Sequence, residues 1–167
     1  MTFVIRDARA DEREDVRDLT LDVYSAYANI MTAEAWAGLD AAVRRAVDAE
    51  NAQRIVASEG DVILGSVMLF PPDTAAYGES THALPNPELR LLAVPESARG
   101  KGIGRALVEE CIRRARRDGA AALGLHSSKS MEAARELYLR MGFERAPEHD
   151  FFPPGAEHVE GYRLRLR

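Results

Sequence analysis

A chain of 167 residues, 46% hydrophobic and 29% charged, has room for one domain and one ordinary core. Its 22 basic and 27 acidic side chains leave a net charge of −5, a poor footing for nucleic-acid binding, which draws much of its affinity from neutralised phosphates. One cysteine excludes an internal disulfide. The longest apolar runs are strand-sized and the N-terminus is charged where a signal peptide needs an apolar stretch, so the expectation is a cytoplasmic protein that engages neither membrane nor nucleic acid.

In chain order, Thr2 to Ile5 reads as a strand, and Asp11 with Glu14 three positions on reads as a helix N-cap. Val16, Leu19, Val23, Tyr24 and Tyr27 then recur at helical spacing, and Trp36, Leu39, Val43, Ala46 and Val47 repeat the pattern in a second helix. Gln53 to Ser58 and Val62 to Phe70 flank Glu59-Gly60-Asp61 as a hairpin. Pro71 to Pro87 holds four prolines and no periodicity, and is a long loop carrying Tyr77 and His82. Glu88 to Val94 is a buried-type strand, and the next helix has the stripe Leu107, Val108, Cys111, Ile112, Ala115 and stops at Gly119. A strand from Ala122 to His126, a helix from about Ser130 to Met141, and strands at Phe143 to Glu148 and His158 to Leu166 complete an α+β (mixed α/β) order without a domain boundary, a single domain over 1–167.

Between a predicted strand and a predicted helix stands Arg99-Gly100-Lys101-Gly102-Ile103-Gly104. Glycines let backbone N–H groups approach an anion, and a helix N-terminus adds unpaired donors and partial positive charge. From 99 to 117 seven basic residues face two acidic ones, a local +5 that leaves −10 on the rest of the chain. The spacing is not that of a Walker loop, because no Ser or Thr follows Lys101 to hold magnesium. It is not the dinucleotide fingerprint either, being G-x-G-x-G with no acid about 20 residues on. Without a ligand, the same glycines would only cap a helix.

Leu91 to Leu107 resembles the acetyl-CoA signature of the GCN5-related N-acetyltransferases (GNAT), whose pattern Q/R-x-x-G-x-G/A is met by Arg99, Gly102 and Gly104. Ala134 to Phe143 resembles that family's late helix ending in Tyr, Gly and Phe, and the order of elements agrees along the whole chain. The resemblance implies a mostly antiparallel central sheet, flanked by four helices and splayed between the strands at 88–94 and 122–126. The pantetheine of acetyl-CoA would lie in that splay along Leu92, Ala93 and Val94. Its pyrophosphate would sit on Arg99, Gly100, Lys101, Gly102, Ile103, Gly104 and Arg105.

By the same resemblance Tyr138 is the general acid for the departing thiolate, although its helical stripe with Ala134, Leu137 and Met141 would equally suit plain core. An alkylamine at pH 7 must lose a proton at a cost of about 4 kcal/mol before it attacks. Glu88 resembles the carboxylate that relatives use for this, but would equally suit a solvated partner of Arg90; His126 and water are alternative bases. Met131 stands where many relatives carry an asparagine, and the resemblance leaves that polar contact to Ser127, Ser128 or Ser130, or to backbone. Tyr24, Tyr27, Trp36, Tyr77 and His126 are the expected acceptor contacts. Cys111 belongs to the core, and His82, His149 and His158 are too scattered for a zinc site, so no metal is expected.

These readings converge on transfer of acetyl from acetyl-CoA to the primary amine of a small molecule or peptide, by direct attack in a ternary complex. A homodimer is compatible with them. The alternative from another class is a catalytically silent acyl-CoA sensor.

Overall fold

A computed structural model describes residues 2–74 and 84–167; Tyr77 and His82, the functional residues expected on the proline-rich loop, lie outside them. Seven strands form one sheet: β1 (Val4–Asp7), β2 (Gln53–Glu59), β3 (Val62–Phe70), β4 (Glu88–Ala93), β5 (Ala122–Ser128), β6 (Glu144–Arg145) and β7 (Val159–Arg165). Their spatial order is β1-β2-β3-β4-β5-β7-β6, antiparallel at every neighbouring pair except β4 with β5. The expected mixed α/β sheet with four helices is present.

Helices α1 (Arg13–Ser25) and α2 (Ala33–Val47) cover one face, where Val47 packs on Met68 and Phe70. Helix α3 (Ile103–Arg117) covers the other, joined there by Tyr138 of α4 (Glu132–Arg140). The alternation of side chains along a strand explains the division. Ile55, Val67, Leu69 and Leu89 point towards α3, whose stripe Leu107, Val108, Cys111, Ile112 and Ala115 is buried as its spacing requires. Burial among these carbons pushes the Cys111 thiol up to about 12, so it stays protonated. Gly65 on β3 allows the close fit of α3: a Cβ there would stand 3.0 Å from Ile103 and 3.2 Å from the Ala93 carbonyl.

Three expected elements are corrected. Asp11 does not cap α1; a 3-10 turn at Ala10–Glu12 precedes the helix, and the buried Glu12 takes the Arg9 N–H at 2.7 Å and the Arg6 guanidinium at 2.7 and 2.9 Å, which lowers its carboxyl to about 2. The strand expected at Phe143 to Glu148 is only Glu144–Arg145, because Pro147 begins a 3-10 turn. Helix α4 starts at Glu132, two residues later than its pattern suggested. Among the described residues no helix is long and apolar enough to cross a membrane.

Candidate active site

β4 and β5 meet at a single pair, Glu88 with Gly124, beside the bond that the Gly124 N–H donates to the Pro87 carbonyl at 2.9 Å. Beyond it the strands continue to Ala93 and Ser128 with no ladder between them. A bulge accompanies the parting. Ser66 faces Ala93 and Met68 faces Arg90, so two steps on β3 match three on β4, and Leu91 takes φ +57. Left-handed backbone costs a non-glycine residue roughly 1–2 kcal/mol, and the extra residue is freed from the β3 ladder.

At the far end of β4 a short turn, Glu96–Ala98, leads to Gly100 at φ +76 and Gly102 at φ +80, and α3 begins at Ile103. A Cβ on either glycine would meet nothing within 4 Å, so the turn presents an open surface and glycine is required by backbone conformation alone. At Gly104 a Cβ would touch Leu137 at an ordinary 3.4 Å, which accounts for a pattern that accepts Gly or Ala there. Arg99 braces the turn by donating its Nε to the Val94 carbonyl at 3.0 Å. Lys101 lies 3.5 Å from the Ser97 carbonyl, and Arg105 pairs with Glu109 at 2.9 Å.

Glu88 is 2% exposed rather than solvated, and Arg90 is not its sole partner. Its Oε1 accepts from Arg90 Nε at 3.1 Å and lies 2.9 Å from His126 Nδ1, while its Oε2 is buried without a partner. His126 Nε2 is 2.9 Å from the His149 carbonyl. A carbonyl only accepts, so Nε2 carries hydrogen, and the contact of Nδ1 with a carboxylate then requires a second proton between them. Burial opposes both charges, but the pairing prevails: it raises the His126 pKa and lowers that of Glu88, giving an imidazolium and a carboxylate. With both ring nitrogens donating, His126 has no free lone pair on its ring nitrogens.

Gly161, opposite His126 on β7, makes this possible. A Cβ there would lie 2.7 Å from His149 Cβ and 2.8 Å from the Ala146 carbonyl, so only glycine lets the chain at His149 pass close enough to reach the imidazole. Gly161→Ala should therefore lower Tm by roughly 3–10 °C and move the His126 ring resonances in an NMR titration towards an ordinary histidine pKa; unchanged resonances would disconnect Gly161 from the pair.

Tyr138 is buried against Phe143, their ring centroids 5.8 Å apart, and its hydroxyl makes no hydrogen bond among the described residues. Burial, reinforced by the nearby Tyr27 and Cys111, pushes its pKa well above the ordinary 10. Tyr27 follows α1 and is itself near enough to Arg99 to feel its charge. The two tyrosines thus approach from opposite layers of the sheet.

Beneath α2 lie two adjoining cavities. One of about 50 Å³ is lined by Tyr24, Glu88, Arg90, Leu91 and Met131 among others, and one of about 210 Å³ by Arg45, Ser127, Ser128, Met131, Phe151 and Glu157 among others. Leu39, Ala42, His126 and Met131 belong to both. Trp36, half-buried on α2, lines neither. Met131, in the position of the asparagine of many relatives, is a wall between chambers. Among the described residues no three His, Cys, Asp or Glu side chains converge as metal ligands would; His158 pairs with Asp150 at 2.8 Å and stacks on Phe152.

The family model described as Acetyltransferase (GNAT) family matches residues 13–143. The chain belongs to the GNAT family. N-acetyltransferase 8B of Rattus norvegicus is 32% identical over 111 residues, 65% of this chain and 46% of that protein, so the match spans about half the length of the curated relative. A GNAT acetyltransferase of Staphylococcus aureus superposes with TM-score 0.70 at 16% identity, covering 99% of this chain and 100% of the other. A GNAT acetyltransferase of Brucella melitensis, solved in complex with acetyl-CoA, gives TM-score 0.63 at 21% identity over 99% and 89%. These likenesses establish the GNAT fold. Sequence reasoning did not find the His149 carbonyl, Gly161 or Glu157; only the unusual glycine in the last strand offered a signal.

Proposed function

We propose that the protein transfers an acetyl group from acetyl-CoA to a primary amine by direct attack in a ternary complex. The observation that carries this reading is the gap between β4 and β5, which has the open glycine turn beyond β4 at one end and the unpartnered Oε2 of Glu88 at the other. The residues present fit the donor. Left-handed Gly100 and Gly102 before the N-terminus of α3 suit a pyrophosphate, and the unpaired edges of β4 and β5 suit an amide-bearing arm. Acetyl-CoA would supply a thioester carbon already activated towards a neutral amine.

The chain's own residues would do the rest. Glu88, held ionised by His126 and Arg90, accepts an N–H of the incoming amine through Oε2 and receives the proton that nitrogen sheds as the C–N bond forms. Tyr138, kept protonated by its surroundings, has a hydroxyl available to donate to the leaving sulfur. Leu39, Ala42 and Met131 limit access of water from the acceptor side. Release of free thiol from acetyl-CoA across a panel of amines tests the activity, and silence across the whole panel, with acetyl-CoA still raising Tm, would leave a sensor in its place. Tyr138→Phe should lower kcat by about 10²-fold with acetyl-CoA affinity nearly unchanged. The reverse pattern would make Tyr138 a packing residue.

A further inference from the structure

The larger chamber holds more buried polar atoms than its own side chains can satisfy. Ser128, on the same face of β5 as His126, is 5% exposed and its Oγ has no partner. Glu157 receives a bond from the Ser130 hydroxyl on Oε1 at 2.5 Å, but its Oε2 is buried and unpartnered. Between these groups the walls are apolar: Ala35, Leu39, Ala42, Met131, Phe151 and Val159. The chamber shares the walls His126 and Met131 with the small cavity that Glu88 lines, and the Oε2 of Glu88 is likewise unpartnered. Glu157 and Glu88, each with a buried carboxylate oxygen that lacks a hydrogen-bond donor, therefore line adjoining cavities whose shared walls include the apolar Leu39, Ala42 and Met131.

Their charge settings differ. Glu88 is compensated by His126 and Arg90, so the nitrogen it meets need carry no charge, as a nucleophile requires. Glu157 is hydrogen-bonded to the neutral Ser130 hydroxyl, while the cations that line this chamber are Arg45, exposed on α2, and the His126 imidazolium already paired with Glu88. A buried carboxylate oxygen in such a place is satisfied by a charged donor.

We infer that the acceptor is a small primary amine whose far end carries a second, cationic nitrogen, with Glu157 seating the cation, Ser128 hydrogen-bonding to it, and Glu88 receiving the amine to be acetylated. The inference rests on the acetyltransferase reading and adds the class of acceptor. The −10 carried outside the 99–117 segment favours the same cation.

The test compares three acceptors of equal chain length, pentylamine, 1,5-diaminopentane and 5-aminopentanoate, by thiol release from acetyl-CoA. The diamine should be preferred over the monoamine by about tenfold or more in kcat/KM, and Glu157→Gln should bring that ratio towards one. Equal rates for diamine and monoamine would overturn the seat, and preference for the aminopentanoate would overturn it in favour of an anion on Arg45; in both cases the acetyltransferase activity would stand. If no amine releases thiol, that activity fails, and calorimetric binding of the diamine in the presence of CoA still decides the seat. There the expected result is about tenfold weaker binding by Glu157→Gln, and equal binding by both proteins overturns the proposal.

Discussion

Glu88→Gln should reduce kcat/KM by about 10²- to 10⁴-fold, the usual contribution of a positioned proton acceptor, while leaving the fold in place. The second half of that expectation comes from the hydrogen-bond pattern. Truncating Glu88 to alanine would strand a buried imidazolium, a change that costs about 3–5 kcal/mol. Glutamine retains the shape: with its carbonyl oxygen in the place of Oε1 it goes on accepting from Arg90 Nε and from His126 Nδ1, while His126 Nε2 goes on donating to the His149 carbonyl. Activity and stability should therefore separate in this variant.

The pH dependence of stability checks the same ion pair. The depressed carboxyl of Glu88 contributes stability that is present above its ordinary 4.5 and lost as pH falls through its lower folded value. The raised imidazole of His126 contributes stability that is present below its ordinary 6.5 and lost as pH rises through its higher folded value. The difference in Tm between wild type and Glu88→Gln should be greatest between 4.5 and 6.5 and shrink on both sides. A difference that is flat with pH would mean that the buried pair is not ionised.

Gly102→Ala should raise the Kd for acetyl-CoA by about 10²-fold or abolish binding, whereas Gly104→Ala should change it by no more than a few-fold. The contrast comes from backbone conformation. At Gly102 the backbone is left-handed, which costs alanine roughly 1–2 kcal/mol, and the new methyl would stand on the open surface offered to the pyrophosphate, where nothing else lies within 4 Å. At Gly104 the backbone is helical and the methyl would rest on Leu137 at 3.4 Å. Isothermal titration with acetyl-CoA measures both, and equal weakening by the two variants would remove the glycine turn from the binding site.

What was legible in the sequence was what local rules encode. The stripe of α3 follows a 3.6-residue period, the glycine turn follows from composition between a strand and a helix, and both appear where expected. Glu88 and His126 could be named singly, but their bond joins residues 38 apart through the one pairing of β4 with β5, and no periodicity reports a partner across a parallel crossover. The unpartnered Oε2 of Glu157 depends on how the segment after Pro153-Pro154 folds back beneath α2, a tertiary outcome with no local signature. At the start of α1 the expected cap Asp11 gives way to a 3-10 turn whose Glu12 is held by Arg6 on β1, a partner that the local sequence does not report.

The parting of β4 from β5 has a further consequence, for association between molecules. A sheet that splits internally gains two new edges, each a row of unsatisfied amide groups of the kind that recruits strands from other chains. In a flat, open sheet these edges would invite aggregation. Here they lie in the interior of the sheet order, β4 flanked by β3 and β5 by β7, with helices on both faces. Edges enclosed in this way are withdrawn from strands of other molecules, so the parting of β4 from β5 adds no free border to the sheet.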